Sequence, residues 1–137
     1  MIGELFLALA SGVGGYDAPT VLNAIREVET GGLPNRGIGA VGDNGKSIGP
    51  YQIGRLYWID SDTSGEYQQC LDSHVYSEKV ISRYMRRYAN AEWLRIRSGV
   101  GTLADVEKVC RIHNGGPRGY TKKATVPYWN KILNNLK

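Results

Sequence analysis

Glu29 and Asp43 are the residues of this chain whose types and placement best suit bond-breaking chemistry. Glu29 falls in the last turn of an amphipathic segment, just ahead of Thr30-Gly31-Gly32, and Asp43 stands at the mouth of an Asp-Asn-Gly-Lys turn. Beside the negative end of a helix dipole an ionised carboxylate is disfavoured, which suits an acid that must carry a proton. A second carboxylate on a neighbouring hairpin completes the pair that glycosidic-bond cleavage needs: one protonates the leaving oxygen, the other meets the developing positive charge. Each has a plainer reading. A glutamate on an amphipathic helix is ordinarily solvated, and Asp in Asp-Asn-Gly often bonds its own backbone. Glu27 points to another face of the same helix and to water, and Asp60 and Asp62 lie in a polar stretch where acids are normally solvated.

The elements that must hold these two groups can be read in order. Asp17 caps a helix with Pro19 in its first turn; Val21, Leu22, Ile25 and Val28 recur at helical spacing and define its buried face. Gly31 and Gly32 end it, with a glycine available for a left-handed cap. Segments 38–41 and 47–53 pair as short strands around Asn44-Gly45, a strong hairpin signal because both residues accept positive φ. Residues 56–59 form a helical turn. The longest helix runs roughly from Ser73 to Ala91, with Val80, Ile81, Tyr84, Met85 and Tyr88 inward. After a break at Ser98-Gly99, Thr102 and Asp105 form a capping box for a helix that buries Leu103, Val106, Val109 and Cys110 and stops at Asn114-Gly115-Gly116-Pro117. Thr125 caps a last helix burying Tyr128, Trp129, Ile132 and Leu136. The class is α+β, mostly helical, with a small β-hairpin beside a helical core.

Composition narrows the remaining choices. At 137 residues the chain makes one domain, enough to bury roughly two-thirds of its unfolded surface. Its net charge of +4 favours anionic partners without choosing among them. Two cysteines, Cys70 and Cys110, cannot build a disulfide framework; they make one bridge or stay as buried thiols. Residues 1–16 are apolar without the basic start of a signal peptide, and are read as a short helix or apolar segment ahead of a domain over 17–137. His74 and His113 lack zinc-ligand spacing with the cysteines, no phosphate-binding glycine loop is present, and a Cys110–His113 nucleophile pair lacks an oxyanion hole. Neither a metal nor a cofactor is expected. Arg83, Arg86 and Arg87, with Tyr84 and Tyr88, are a nucleic-acid face or, more simply, a solvated helix flank.

Four patches, taken together and in order, resemble the lysozyme superfamily, and most closely its invertebrate-type (i-type, destabilase-like) members. AIREVETG resembles the family's catalytic-glutamate helix. GDNGKSIGPYQI followed by YWID resembles its Asp-bearing hairpin, its Gly-Pro-Phe-Gln-Ile segment and its Tyr-Trp-Ile-Asp. VISRYMRRYA resembles its central helix, and IHNGGPRGYTKKATVPYWNKI its His-Asn-Gly-Gly-Pro segment and closing helix. The resemblance spans about Ala24 to Ile132. It departs from the family in lacking almost every framework cysteine, with Ile48 and Tyr120 at two such positions, and in a hairpin one residue shorter than in animal members.

The resemblance implies a lysozyme-like fold and a muramidase that cleaves the β-1,4 bond between N-acetylmuramic acid and N-acetylglucosamine. Glu29 would be the general acid and Asp43 the second carboxylate. Ser47, Gly49, Tyr51 and Gln52 would line the floor of the sugar cleft, His113 and Asn114 its opposite wall, with Tyr51, Tyr57 and Trp58 as platforms for sugar rings. Trp58 is equally a core aromatic. The implied partner is peptidoglycan, with no nucleic acid and no membrane insertion, for a monomer. Lost bridges with a retained site suggest a microbial or phage endolysin, made in the cytoplasm and acting on the cell wall. Competing readings are a lytic transglycosylase using Glu29 alone, an isopeptidase using Ser47, and a non-catalytic wall-binding module.

Overall fold

The computed structural model describes residues 15–136, so the segment expected over residues 1–16 lies, apart from Gly15 and Tyr16, outside the described residues. Tyr16 pairs with Gly101 as an isolated antiparallel bridge. Helix α1 (Ala18–Thr30) starts as expected: the Asp17 carboxylate accepts from the Thr20 amide at 2.9 Å and Pro19 sits in the first turn. Val21, Ala24 and Ile25 are fully buried along one side. The helix does not end in a left-handed glycine, because Gly31 keeps right-handed geometry (φ −59°). Instead Thr30 turns its hydroxyl inward, donating to the Pro50 carbonyl at 2.8 Å and the Arg26 carbonyl at 3.3 Å. That ties the helix end to the sheet region.

The hairpin is shorter and more folded than the sequence pattern implies. β1 (Val41–Gly42), β2 (Ser47–Ile48) and β3 (Ile53–Gly54) form an antiparallel sheet in that order, with Gly42 opposite Ser47 and Ser47 opposite Gly54. The expected strand over 47–53 is split by Gly49 (φ 80°) and Gln52 (φ 51°), whose left-handed backbone cannot continue an extended strand. Gly49 has no alternative: a Cβ there would collide with the Cys70 carbonyl.

Helices α2 (Arg55–Ser61), α3 (Gln69–Asp72), α4 (His74–Tyr88), α5 (Asn90–Arg97), α6 (Leu103–Gly115) and α7 (Val126–Asn135) complete the chain. The long helix expected to Ala91 ends at Tyr88. At Ala89 (φ −149°, ψ 52°) the chain breaks and restarts as α5. No glycine or proline marks the spot; the gain is tertiary, since the turn buries Trp93 and Ile96 and lets the Trp93 indole donate to Ser82 at 2.9 Å. Burying such side chains contributes about 1.5–3 kcal/mol each, enough to offset an interrupted helix.

The Thr102–Asp105 capping box forms in full. Leu103 is exposed at the tip of α6 and not inward, while Val106, Val109 and Cys110 are buried as expected. Thr125 does not cap α7; its hydroxyl donates toward the Gly119 and Lys122 carbonyls and accepts from Arg111. Cys70 and Cys110 are both buried and free, so the bridge left open by the sequence is absent. Burial pushes the Cys110 thiol well up, and with the His113 ring occupied elsewhere no Cys-His nucleophile assembles. Among the described residues no helix is long and apolar enough to cross a membrane.

Candidate active site

Glu29 sits where α1 meets α2, α6 and α7. Its side chain is 18% exposed, and its Oε2 lies 3.5 Å from His113 Nε2. The buried His113 ring is held at both nitrogens: Nε2 is 3.0 Å from the Tyr51 carbonyl and Nδ1 2.9 Å from the Tyr57 hydroxyl. A carbonyl only accepts, so Nε2 carries the hydrogen, and in the neutral ring Nδ1 accepts from Tyr57. Tyr57 in turn stacks flat on Tyr84, with centroids 3.7 Å apart and planes within 7°. Burial above all, then Tyr84 and the Glu29 charge, push the Tyr57 phenol up.

Tyr128, on α7, is the fourth member. Burial first and the Glu29 carboxylate second hold its phenol well above the usual tyrosine range. Its hydroxyl lies close to the Glu29 carboxylate, its nearest acceptor, but outside full hydrogen-bonding geometry among the described residues. An orphaned buried hydroxyl is uncommon and costs about 1–3 kcal/mol. The sequence pattern places Tyr128 in the core and says nothing of its role. The available signal is the hydroxyl itself, since a buried tyrosine on an apolar helix face ordinarily needs a polar partner.

Asp43 lies on the exposed 3₁₀ turn Asp43–Gly45 between β1 and β2, with a left-handed backbone (φ 53°) like Asn44 after it. Gln52 braces this hairpin. Its Nε2 donates to the Gly49 carbonyl at 2.9 Å and to the Ala40 carbonyl at 3.4 Å, and its Oε1 fills the space a side chain at Gly42 would need. Its left-handed conformation, costly by about 1–3 kcal/mol without a short polar side chain to ease it, is held by that packing. Beyond the turn, a cavity of about 450 Å3 runs between Gly45-Lys46 and Arg55-Leu56-Tyr57, floored by Tyr67. Tyr57 thus borders both this cavity and the Glu29 cluster.

The structure brings together Glu29, Tyr57 and His113, and separately gathers Ser47, Gly49 and Gln52 with the Asp43 turn. The Thr30–Pro50 and His113–Tyr51 bonds dock the two groups. Other residues expected at the cleft are placed differently. The Tyr51 ring is buried and turns away, its hydroxyl donating to Glu78 at 2.6 Å beside His74; only its carbonyl reaches His113. Gly49 is buried under Cys70 and serves the turn. Trp58 is a packing residue, its indole donating to Tyr76 at 2.8 Å. Asn114 is exposed beside His113, and Ser47 is half-buried in β2. Glu27 is not simply solvated; it accepts from the buried Arg26 at 2.7 Å. Among the described residues no three His, Cys, Asp or Glu side chains gather as a metal site.

The profile of the Destabilase family matches residues 20–135. The chain is 38% identical to Lysozyme 1 of Crassostrea virginica over 81% of its length, and 35% identical to the lysozyme of Meretrix lusoria over 87%. It spans 90% of the Meretrix protein but only 55% of the Crassostrea one and 59% of the lysozyme of Ostrea edulis. Its fold superimposes on the Meretrix lusoria lysozyme, solved in complex with the Aeromonas hydrophila protein PliI. The TM-score is 0.67 at 32% identity, covering 88% of this chain and 92% of that one. With the family profile covering most of the chain and lysozyme relatives matching along it, the chain belongs to the Destabilase family of invertebrate-type lysozymes.

Proposed function

We propose that this protein is a peptidoglycan muramidase that hydrolyses the β-1,4 bond between N-acetylmuramic acid and N-acetylglucosamine. The observation that carries the reading is the Glu29 carboxyl, part-buried beside a doubly held His113 and two neutral tyrosine hydroxyls, in a chain whose relatives are lysozymes. A glycan strand laid along the cavity between the Asp43 turn and Tyr57 would present a glycosidic oxygen to Glu29, which donates its proton as the bond breaks. Asp43, exposed and mounted on a rigid turn, meets the oxocarbenium-like centre or directs the attacking water. Asn114 and Ser47 contact the sugars from opposite sides. Gln52, His113 and Tyr57 position these groups. Action at the cell wall, after synthesis in a cytoplasm where Cys70 and Cys110 stay reduced, belongs to the same proposal.

The isopeptidase reading gains no support: among the described residues the Ser47 hydroxyl bonds to no histidine or carboxylate that could activate it. The test is turbidity clearance of purified peptidoglycan with mass analysis of the fragments. Wild type is expected to release fragments with reducing N-acetylmuramic acid ends, and Asp43→Asn to slow that release strongly. Anhydro-ended products with full activity in Asp43→Asn would replace the proposal with a lytic transglycosylase.

A further inference from the structure

A second concavity, about 480 Å3, opens at the far end of α2 from Tyr57. The end of α2 (Asp60, Ser61 and Asp62) forms one wall, and Arg83, Arg86 and Arg87 of α4 form the other. The spacing of these arginines puts three guanidinium groups on one helix face. Two of them are oriented without being neutralised. Arg83 Nε donates to the Ser61 carbonyl at 3.1 Å, and Arg87 Nη1 to the Asp60 carbonyl at 3.0 Å, with the Arg87 guanidinium also over the Tyr88 ring. A carbonyl fixes a guanidinium in place but leaves its full charge. The nearest carboxylate, Asp62, is 3.8 Å from Arg83 and 94% exposed, so it screens little. Asp60 is engaged by the Tyr88 hydroxyl at 3.2 Å. Arg86 makes no hydrogen bond or ion pair among the described residues. An adjoining cavity of about 260 Å3 shares Arg86 and Asn90 and adds Arg97, extending the basic strip along α5.

We propose that this strip binds successive phosphodiester groups of a linear anionic polymer. Each phosphodiester presents two charged non-bridging oxygens that match a guanidinium fork, and its fixed charge persists at every working pH. Two adjoining cavities sharing Arg86 provide for more than one such group. Nucleic acid fits less well. Tyr84 is buried and stacked on Tyr57, and the Tyr88 ring is taken up by the Arg87 guanidinium and the Tyr84 ring, which leaves little aromatic face for bases to stack on. Neither cavity of the strip is lined by Glu29, Asp43 or His113. The strip anchors the protein to a phosphate-rich surface.

The test is titration of the full chain with labelled poly(glycerol phosphate) at low and physiological salt, a readout independent of the muramidase reading. Arg86→Gln, at a side chain with no internal partner, is expected to weaken binding about tenfold. The triple variant Arg83→Gln, Arg86→Gln, Arg87→Gln is expected to abolish it, with thermal melting checked because two of these side chains hold α2. Lys131→Gln, an equal loss of charge at an exposed position on α7, which lines neither cavity, is expected to change it by less than about twofold. The proposal is overturned if wild type does not bind, if Arg86→Gln and Lys131→Gln behave alike, or if phosphatidylglycerol vesicles or single-stranded DNA, matched per phosphate, bind more tightly than the polymer.

Discussion

Glu29 and Asp105 are both carboxylates at helix ends, and their surroundings are opposite. Asp105 stands at the start of α6, where the dipole favours its charge. It accepts from Arg95 Nε at 2.9 Å, Arg95 Nη2 at 2.8 Å and the Thr102 amide at 2.9 Å. These bonds, the Arg95 pair foremost, lower its carboxyl to about 2. Glu29 stands at the end of α1, where the dipole opposes its charge. Its one ion-pair neighbour is a histidine nitrogen at 3.5 Å already aimed at a carbonyl, and the nearby Tyr128 hydroxyl is unpartnered. A carboxylate whose lone pairs are taken up internally holds structure together. One left part-buried with few internal partners keeps its oxygens available to another molecule.

Substitutions that treat the two sites alike should expose the difference. Glu29→Gln is expected to lower turnover on peptidoglycan by about 10²–10⁴-fold, the usual contribution of a general acid, with the melting temperature unchanged. Near wild-type turnover would place the acid elsewhere. Asp105→Asn should do the reverse. Losing the bidentate Arg95 pair and weakening the cap is expected to cost about 2 kcal/mol in denaturant unfolding, with activity per folded molecule intact.

Acid should reveal Asp105 without mutation. Its carboxyl titrates near 3.8 in the unfolded chain and near 2 when folded, so its stabilisation is complete above about pH 4 and is lost as pH falls toward 2. Allowing for an Arg95 side chain that is 47% exposed, the loss is about 1–2 kcal/mol. Asp105→Asn should flatten that part of the stability curve. The smallest effect belongs to Tyr128→Phe. Removing an unpartnered buried hydroxyl is expected to stabilise the fold by up to about 1 kcal/mol. A loss of 2 kcal/mol or more would mean that the hydroxyl is bonded in solution and that the Glu29 cluster is as fully satisfied as the Asp105 one.

Legibility in the sequence followed the range of the interaction. The Asp17 cap and the Thr102–Asp105 box link residues three apart and were readable as written. So was Glu29, whose neighbours Thr30, Gly31 and Gly32 mark a helix end. The break at Ala89 was not, because nothing local forces it; Trp93 and Ile96 gain their burial only against elements distant in the chain. Tyr51 was misplaced for the same reason. Its position after Gly49-Pro50 suggests the cleft, but Glu78, 27 residues on, captures its hydroxyl. Thr125 had a capping residue's chemistry and was diverted by Arg111 and the Gly119 carbonyl.

The amino-acid order alone determined the helical content, the turn that carries Asp43, the placing of Glu29 at a helix end and the family, because each depends on residue type at short spacing. Tertiary structure alone decided which hydroxyls and rings surround Glu29, that the cysteines stay apart, and that three arginines on α4 face the end of α2. Those outcomes depend on how elements far apart in the chain pack together, and hydrophobic periodicity specifies that a face is buried without specifying against what.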